Sequence, residues 1–331
     1  MNKRMIFLLS IICIMSIGIV RNNQETKQGT MARQTTPHLT AYVAAKEDIG
    51  RALLSSYCET KGCTYEFVRL STEELVRRVT EEADHPRADL VIGGTWDAHQ
   101  TLKKRHLSTP FPAKLSQEDG LQDPDRYWIG YEVERLAIVV NTVLWKERIG
   151  QQVSYPVTLA DLTNDLYRDE LILPDPNHSG TGATILQAVF EKYGASGDDM
   201  LRRLIRQTRL FTANGFAPVS YVASGEAMLG VNFIGDQQSL REKSYPIKSI
   251  PLDTYSINAI SKLKNRNQQN VSNDFMRYVL SSDGQDILRK VSFGTPTYAV
   301  SQVQPIKRSV GQDIVSDYKD YLQRFNRLYD K

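Results

Sequence analysis

The chain has 331 residues, of which 41% are hydrophobic and 24% are charged, and its formal net charge is +3 at pH 7. This composition is that of a globular protein and excludes a disordered or collagen-like chain. The length suits one large domain or two medium ones. The small net charge, without a long block of Lys or Arg, argues against nucleic acid as a partner.

Residues 1–20 have the pattern of an export segment. Two basic residues precede an apolar run from Met5 to Val20, which is the order found in a secretory signal. The run is long for a signal core and short for a membrane span, so a cleaved signal peptide and a retained N-terminal anchor are both open. Residues 21–37 are polar and aperiodic, which predicts a linker. Either interpretation predicts an extracytoplasmic protein that is secreted, periplasmic or anchored at the outer face.

Cys58 and Cys63 flank a predicted turn near Gly62. They are either two free thiols or a disulfide, and export favours the disulfide. A bridge across so short a loop would stabilise the fold by only about 2 kcal/mol.

Strands and helices alternate in the first third of the chain. Strands are predicted at 39–45, 65–70 and 88–94, and helices start near 46, 71 and 97. This order predicts an α/β fold with a mainly parallel sheet, in which ligands collect beyond the carboxyl ends of the strands. Ala45, Thr95 and Trp96 occupy such positions and are candidate ligand-binding residues.

The most informative stretch runs from Leu171 to Phe190. It is predicted to be a buried strand, a loop rich in Pro and Gly, and a helix with apolar residues at helical spacing. Ser179 or Thr181 can cap this helix, and Gly180 lets a ligand approach the backbone. The free N–H groups and the helix dipole would then form an anion site; the alternative is an ordinary capped helix behind a tight turn.

Later segments continue the alternation of strands and helices. Asn214 opens a further helix, so a second helix start is expected at the same ligand. Strands are predicted at 136–140, 227–233 and 248–252, and helices at 198–206, 217–224, 270–291 and 310–328.

Several short motifs follow one another in a specific order. They are Ala88–Gly94, Trp128-Ile129-Gly130, Asn141-Thr142, Ser179-Gly180-Thr181, Ser282-Asp283-Gly284 and Thr295-Pro296-Thr297. From about Leu39 to Thr297, this order resembles the extracellular solute-binding proteins of the ferric-ion, phosphonate and sugar-phosphate ABC importers. The resemblance implies a delivery of solute to an ABC permease.

The resemblance also implies an α/β, two-lobed type 2 periplasmic-binding-protein fold with a ligand cleft and two hinge crossings. The crossings are expected near 139–142 and 250–252. Lobe one would then comprise residues 38–139 plus 252–331, and lobe two residues 140–251. Hinge closure around the ligand would follow.

In organophosphate members of this family, a serine-glycine-threonine loop takes the phosphate and a later aspartate takes a hydroxyl or amine. The resemblance carries these roles to Ser179-Gly180-Thr181 and to Asp236. Gly235 stands where sugar-phosphate members have histidine. This difference argues against a sugar ring in the ligand but not against a phosphate or phosphonate group. Trp96 and Tyr131 are expected to supply flat walls, with core packing as the alternative for Trp96.

Iron binding is disfavoured. Ferric-ion members have two adjacent tyrosines where this chain has Phe233-Ile234-Gly235. His99 and His106 lie seven residues apart on one predicted helix, and we interpret them as a solvated face rather than metal ligands. We therefore predict neither a metal nor a cofactor.

Catalysis is disfavoured although Ser179 follows His178. Neighbours in sequence rarely face each other, and neither a G-x-S-x-G elbow nor a Walker loop is present. The chain is predicted to be a monomer that binds a small anionic ligand. One alternative to import is a sensory role, in which an anchored protein reports ligand occupancy to a membrane histidine kinase.

Overall fold

The computed structural model describes residues 36–112, 120–150, 153–264, 266–267, 269–296 and 314–330. The predicted export segment, residues 1–20, lies outside the described residues, as does nearly all of the predicted linker. Within the described part of the chain, no helix is long and apolar enough to cross a membrane.

The fold is built on one mixed sheet in the order β2-β1-β3-β9-β5-β8-β6-β7, with β4 paired to β9 and β10 to β5. The strands are β1 (His38–Ala44), β2 (Thr64–Arg69), β3 (Leu90–Thr95), β4 (Ser108–Thr109), β5 (Ile129–Asn141), β6 (Leu171–Pro174), β7 (Thr208–Thr212), β8 (Leu229–Phe233), β9 (Ile247–Leu263) and β10 (Thr295–Pro296). The α-helices are α1 (Glu47–Lys61), α2 (Thr72–Glu81), α3 (Trp96–Lys104), α4 (Thr142–Arg148), α5 (Gly180–Tyr193), α6 (Gly197–Gln207), α7 (Ala217–Ala223), α8 (Ile234–Arg241), α9 (Gln269–Val279), α10 (Ser282–Val291) and α11 (Ile314–Tyr329).

Two long antiparallel strands, β5 and β9, connect two lobes. At one end β9 pairs with β3 of the first lobe, in the register Leu90↔Lys262. At the other end β5 pairs with β8 of the second lobe, in the register Leu136↔Phe233. The first lobe has parallel β1–β3 pairing, and the second has β7, β6 and β8 in parallel. The predicted α/β architecture is therefore present in both lobes.

The crossings lie a few residues from where the sequence placed them. β5 already pairs with second-lobe strand β8 from Leu136 to Val140, so it leaves the first lobe before the predicted 139–142. In β9, Ile260 pairs with first-lobe strand β3. The second crossing therefore lies after the predicted 250–252 and before Ile260. β5 is one continuous strand across both lobes, whereas the sequence predicted a strand only at 136–140, because the first half of β5 contains charged residues.

The last helix corrects the predicted lobe assignment. α11 packs mainly on α5 and α6 of the second lobe and to a smaller extent on α3 of the first, whereas the sequence interpretation assigned it to lobe one with the rest of 252–331. The Tyr321 ring stacks on Phe190 with centroids 4.4 Å apart, and Phe325 is buried in the second-lobe core. Arg324 Nε lies 2.7 Å from Asp198 Oδ1. Apolar and ionic contacts, rather than chain order, decide where this helix lies.

Two further features of the first lobe bear on the predictions. The helix expected over 270–291 is two helices, because Ser281 caps α10 by accepting a hydrogen bond from Gly284 N–H at 3.4 Å. Cys58 and Cys63 are joined by a disulfide, which confirms the favoured alternative. The bridge links the last turn of α1 to the residue before β2.

Candidate functional site

A cavity of about 90 Å³ lies between the two lobes. The first lobe contributes the residues that follow β1, β2 and β3, and the second contributes those that follow β6, β7 and β8. These positions are the carboxyl ends of the strands, where ligands of α/β proteins bind. The residues that line the cavity include Ala44, Ala45, Lys46, Arg69, Ser71, Thr72, Thr95, Glu134, Ser179, Gly180, Thr181, Asn214, Phe216, Phe233, Asp236 and Asn258.

Six helices begin at this cavity, which confirms that the helix expected after Asn214 starts there. All six N-cap residues line it: Lys46 for α1, Ser71 for α2, Thr95 for α3, Ser179 for α5, Phe216 for α7 and Phe233 for α8. The first N–H groups of each helix lack partners within the helix, and each N-terminus carries partial positive charge. The cavity is therefore surrounded by hydrogen-bond donors and by positive ends of dipoles, which together favour a bound anion.

The start of α5 is shaped by its glycines. Ser179 has extended backbone (φ −121°, ψ 127°), and its hydroxyl accepts a long 3.5 Å hydrogen bond from Gly182 N–H. A Cβ on Gly180 would lie 2.7 Å from Thr95 Oγ1 and 2.9 Å from Thr72 Oγ1, both in the first lobe. The second lobe thus touches the first at Gly180, and only a residue without a side chain fits there.

One buried hydroxyl at this contact has no partner. Among the described residues, Thr95 Oγ1 makes no hydrogen bond although Thr95 is only 2% exposed. Buried polar atoms are normally paired, so an unpaired hydroxyl that lines a cavity is a group ready to bind a ligand.

One side of the cavity is acidic. Asp236 Oδ1 lies 3.1 Å from Lys46 Nζ, an ion pair that joins the second lobe to the first. Lys46 Nζ also lies 5.7 Å from the centroid of the Phe216 ring. Glu134, on β5, lines the cavity beside this pair. Glu132 lies two residues before Glu134 on the same strand.

Burial makes these three carboxyl groups weaker acids. It raises the pKa of Glu132 to about 7 and the pKa of Glu134 well above its usual range, and Glu132 and Asp236 raise that of Glu134 further. Burial also raises the pKa of Asp236, whereas Lys46 opposes the rise. A ligand that brings positive charge to this side would favour the ionised carboxylates.

The cavity brings together seven of the residues that were predicted from sequence to bind the ligand. These are Ala45, Thr95, Ser179, Gly180, Thr181, Asn214 and Asp236. Their position in the cavity is a structural fact, and their contact with a ligand stays a prediction.

Trp96 and Tyr131 do not line the cavity, which corrects the expectation that they form its flat walls. Trp96 is the first residue of α3 and packs against Trp128, with ring centroids 6.0 Å apart. Tyr131 is fully buried in the first-lobe core. Both rings pack in the interior because they complete apolar clusters, so the core-packing alternative holds for Trp96.

Several cavity residues were missed by the sequence reasoning. Lys46 directly follows the candidate Ala45, and Thr72 begins a helix after β2 just as Trp96 does after β3, so position relative to a strand end could have identified both. Arg69 ends β2 and is exposed at the cavity. Glu134 gave no signal, because an alternating strand with charged residues predicts a solvated face.

The interpretation of His99 as part of a solvated face is wrong. His99 is 1% exposed, with Nδ1 2.6 Å from Ser261 Oγ and Nε2 3.0 Å from the Gly93 carbonyl oxygen. Burial lowers its pKa to about 4, so the ring is neutral at pH 7. Within the residues that the structure describes, no group of three His, Cys, Asp or Glu side chains could hold a metal ion.

Residues 85–312 match the family model of the bacterial extracellular solute-binding proteins. This chain belongs to that family. An uncharacterized protein of Haemophilus influenzae is similar to this solute-binding protein, at 25% identity over 264 residues, or 76% of this chain and 75% of the relative. The sequence-based assignment to the solute-binding proteins of ABC importers is therefore confirmed, and this family implies an extracytoplasmic location.

Solved periplasmic binding proteins have the same fold as this solute-binding protein. AfuA of Actinobacillus pleuropneumoniae, solved with bound fructose-6-phosphate, has a TM-score of 0.77 at 20% identity, over 89% of this chain and 97% of AfuA. Iron-bound HitA of Pseudomonas aeruginosa has a TM-score of 0.76 at 17% identity, over 88% of this chain and 99% of HitA. The predicted two-lobed type 2 fold is confirmed, and identities this low show the fold alone.

Proposed function

We propose that this solute-binding protein captures a small organophosphate or phosphonate between its lobes and delivers it to an ABC permease. The observation that carries the proposal is the convergence of six helix starts on one small cavity. The first N–H groups of each helix have no acceptor within the helix, and a phosphate or phosphonate has oxygens enough to accept from several of them at once.

In this proposal, the anionic group binds at the start of α5. Ser179 and Thr181 are 3% and 6% exposed, so their hydroxyls act in a largely dry site. Thr95 and Thr72 offer hydroxyls from the opposite lobe beside Gly180. Hydrogen bonds to an ionised acceptor are about twice as strong as neutral ones, so donors from both lobes would favour the closed cleft.

Two cationic side chains at the cavity also favour an anionic ligand. Lys46 is part of the lining, where it pairs with Asp236, and Arg69 lies at the exposed side. A cavity of this volume suits a solute of few atoms rather than a large metabolite. The AfuA structure contains a phosphate ester, which is the chemistry proposed here.

A ferric-ion ligand is the weaker candidate. Phe233 lines the cavity at the position where the sequence resemblance would require a tyrosine ligand. Phenylalanine has no atom that can coordinate iron, and no group of three His, Cys, Asp or Glu side chains among the described residues could hold a metal ion. A ferric load should therefore give no visible tyrosinate absorption band.

A thermal-melting screen tests the proposal. Phosphonates, phosphate esters and inorganic phosphate are compared with a neutral sugar, a free amino acid and ferric citrate, all added to the exported part of the chain. A bound solute at one hundred times its dissociation constant adds about 2.7 kcal/mol of stability. The melting temperature should rise with a phosphate or phosphonate compound; a rise with only the neutral or iron compounds would refute the anionic ligand.

A further inference from the structure

Three buried carboxyl groups lie close enough to influence one another, and two of them have partners. Two of the three, Glu134 and Asp236, line the cavity. Asp236 has Lys46 at 3.1 Å. Glu132 accepts hydrogen bonds from the Ser292 hydroxyl and, at 3.2 Å, from Asn258 Nδ2. These two groups are thus held by the protein itself.

Glu134 differs from its neighbours. It is 5% exposed, lines the cavity and lies against Gly235. Within the described residues, its second oxygen, Oε2, has no hydrogen-bond partner. An unpaired buried carboxyl oxygen is costly, so a donor on the ligand would relieve that cost.

The charge balance indicates which donor fits. The charged groups that face Glu134 are Glu132 on its own strand, Asp236 on α8 and Lys46 before α1. Three carboxyl groups therefore share one ammonium in a buried site. A second cation would favour ionisation of these carboxyl groups and pair with the charge that results, whereas a hydroxyl supplies a hydrogen bond but no charge.

We propose that Glu134 determines specificity, and that it selects a solute with an ammonium group beside its anionic group. The inference rests on the proposed function, since the anionic group occupies the start of α5. Asp236, to which the sequence resemblance assigned the second ligand group, instead serves mainly as the partner of Lys46 across the cleft.

Titration calorimetry on matched pairs of solutes tests the inference. Ethanolamine phosphate and 2-aminoethylphosphonate are each compared with the amine-free ethyl phosphate and ethylphosphonate, and glycerol 1-phosphate represents a hydroxyl donor. The amino compounds should bind about 10- to 100-fold more tightly than their amine-free partners, the range expected for a hydrogen bond between charged groups. In Glu134→Gln this preference should disappear, while the amine-free compounds keep their affinity.

Proton release gives a second readout that a purely structural role would not change. Burial raises the pKa of Glu134, and an ammonium group beside it favours the ionised carboxylate, so its binding should release protons. Titrations in buffers of different ionisation enthalpy should therefore detect more proton release with wild type than with Glu134→Gln for the same amino compound. Glu132→Gln is the matched control, because Glu132 already has protein donors and its loss should leave the amine preference intact.

The outcomes separate the inference from the proposed function. Equal affinity for amino and amine-free compounds in wild type would overturn the role of Glu134 and leave the anionic solute standing. A preference that survives in Glu134→Gln would likewise overturn it. If no phosphate or phosphonate compound binds at all, both proposals fail.

Discussion

Gly180→Ala should weaken ligand binding without weakening the unliganded fold. The added Cβ would lie 2.7 Å from Thr95 Oγ1, 2.9 Å from Thr72 Oγ1 and 3.0 Å from Thr95 Cγ2, whereas ordinary contacts begin near 3.4 Å. The largest shortfall is thus about 0.7 Å. Thr side chains are stiff at χ1, so the neighbours cannot easily move away.

The clash joins the two lobes, so it acts on the closed state and is relieved when the cleft opens. Overpacking of this kind costs about 1–3 kcal/mol. The dissociation constant should therefore rise about 5- to 150-fold, because 1.4 kcal/mol corresponds to a factor of ten. Within the helix, alanine is favoured over glycine, so the melting temperature without ligand should stay or rise.

Isothermal titration with the tightest-binding solute of the screen measures the loss, and an unliganded melt measures the fold. A second variant, Gly180→Ala with Thr95→Ala, removes two of the three close atoms and should recover part of the affinity relative to Thr95→Ala alone. Unchanged affinity in Gly180→Ala would refute the close approach of the lobes. A matching fall in unliganded stability would show that the clash lies within the fold instead.

Two further predictions concern stability. Replacing Cys58 and Cys63 by serine should lower the free energy of unfolding by about 2 kcal/mol, the chain-entropy value for so short a loop, and urea unfolding measures it. Raising the pH from 5 to 8 should destabilise the unliganded protein. Burial raises the pKa of Glu132 to about 7, so the folded state holds this proton more tightly than the unfolded chain. That contribution, at most about 3 kcal/mol, is complete below pH 4.5 and is lost as the pH rises through 7. Glu132→Gln should flatten the pH dependence; an equal slope in both proteins would contradict it.

The sequence predicts the local elements well where hydrophobic period and caps agree. The predicted helix start near 71, the predicted turn near Gly62 and the predicted N-cap at Ser179 each mark a helix boundary in the structure within a residue. These signals are local, because a cap satisfies N–H or C=O groups of the adjacent turn. Strand–loop–helix order then places Ser179 and Thr95 at strand ends, which is why the sequence predicts them as ligand-binding residues.

The remaining features depend on contacts between distant parts of the chain. Glu134 looks like a solvent-facing strand residue until β5 is seen to cross between the lobes. The direction of the Tyr131 ring depends on which face of β5 the first-lobe core covers. The position of α11 depends on Phe325 and its second-lobe neighbours. No local sequence pattern predicts these three features, because each depends on packing between distant segments.

The central claim is that the ligand's anionic group binds at the start of α5, and one titration tests it most directly. Thr181→Asp places a negative charge where the anion is expected, while Thr181→Asn has nearly the same shape and no charge. Both variants should keep the unliganded melting temperature near that of wild type. The aspartate is favourable in the first turn of a helix, and the asparagine leaves the charge of that turn unchanged. In isothermal titration with the tightest-binding phosphate or phosphonate, Thr181→Asn should retain measurable affinity and Thr181→Asp should lose it. Equal affinity in the two variants would contradict the anion site.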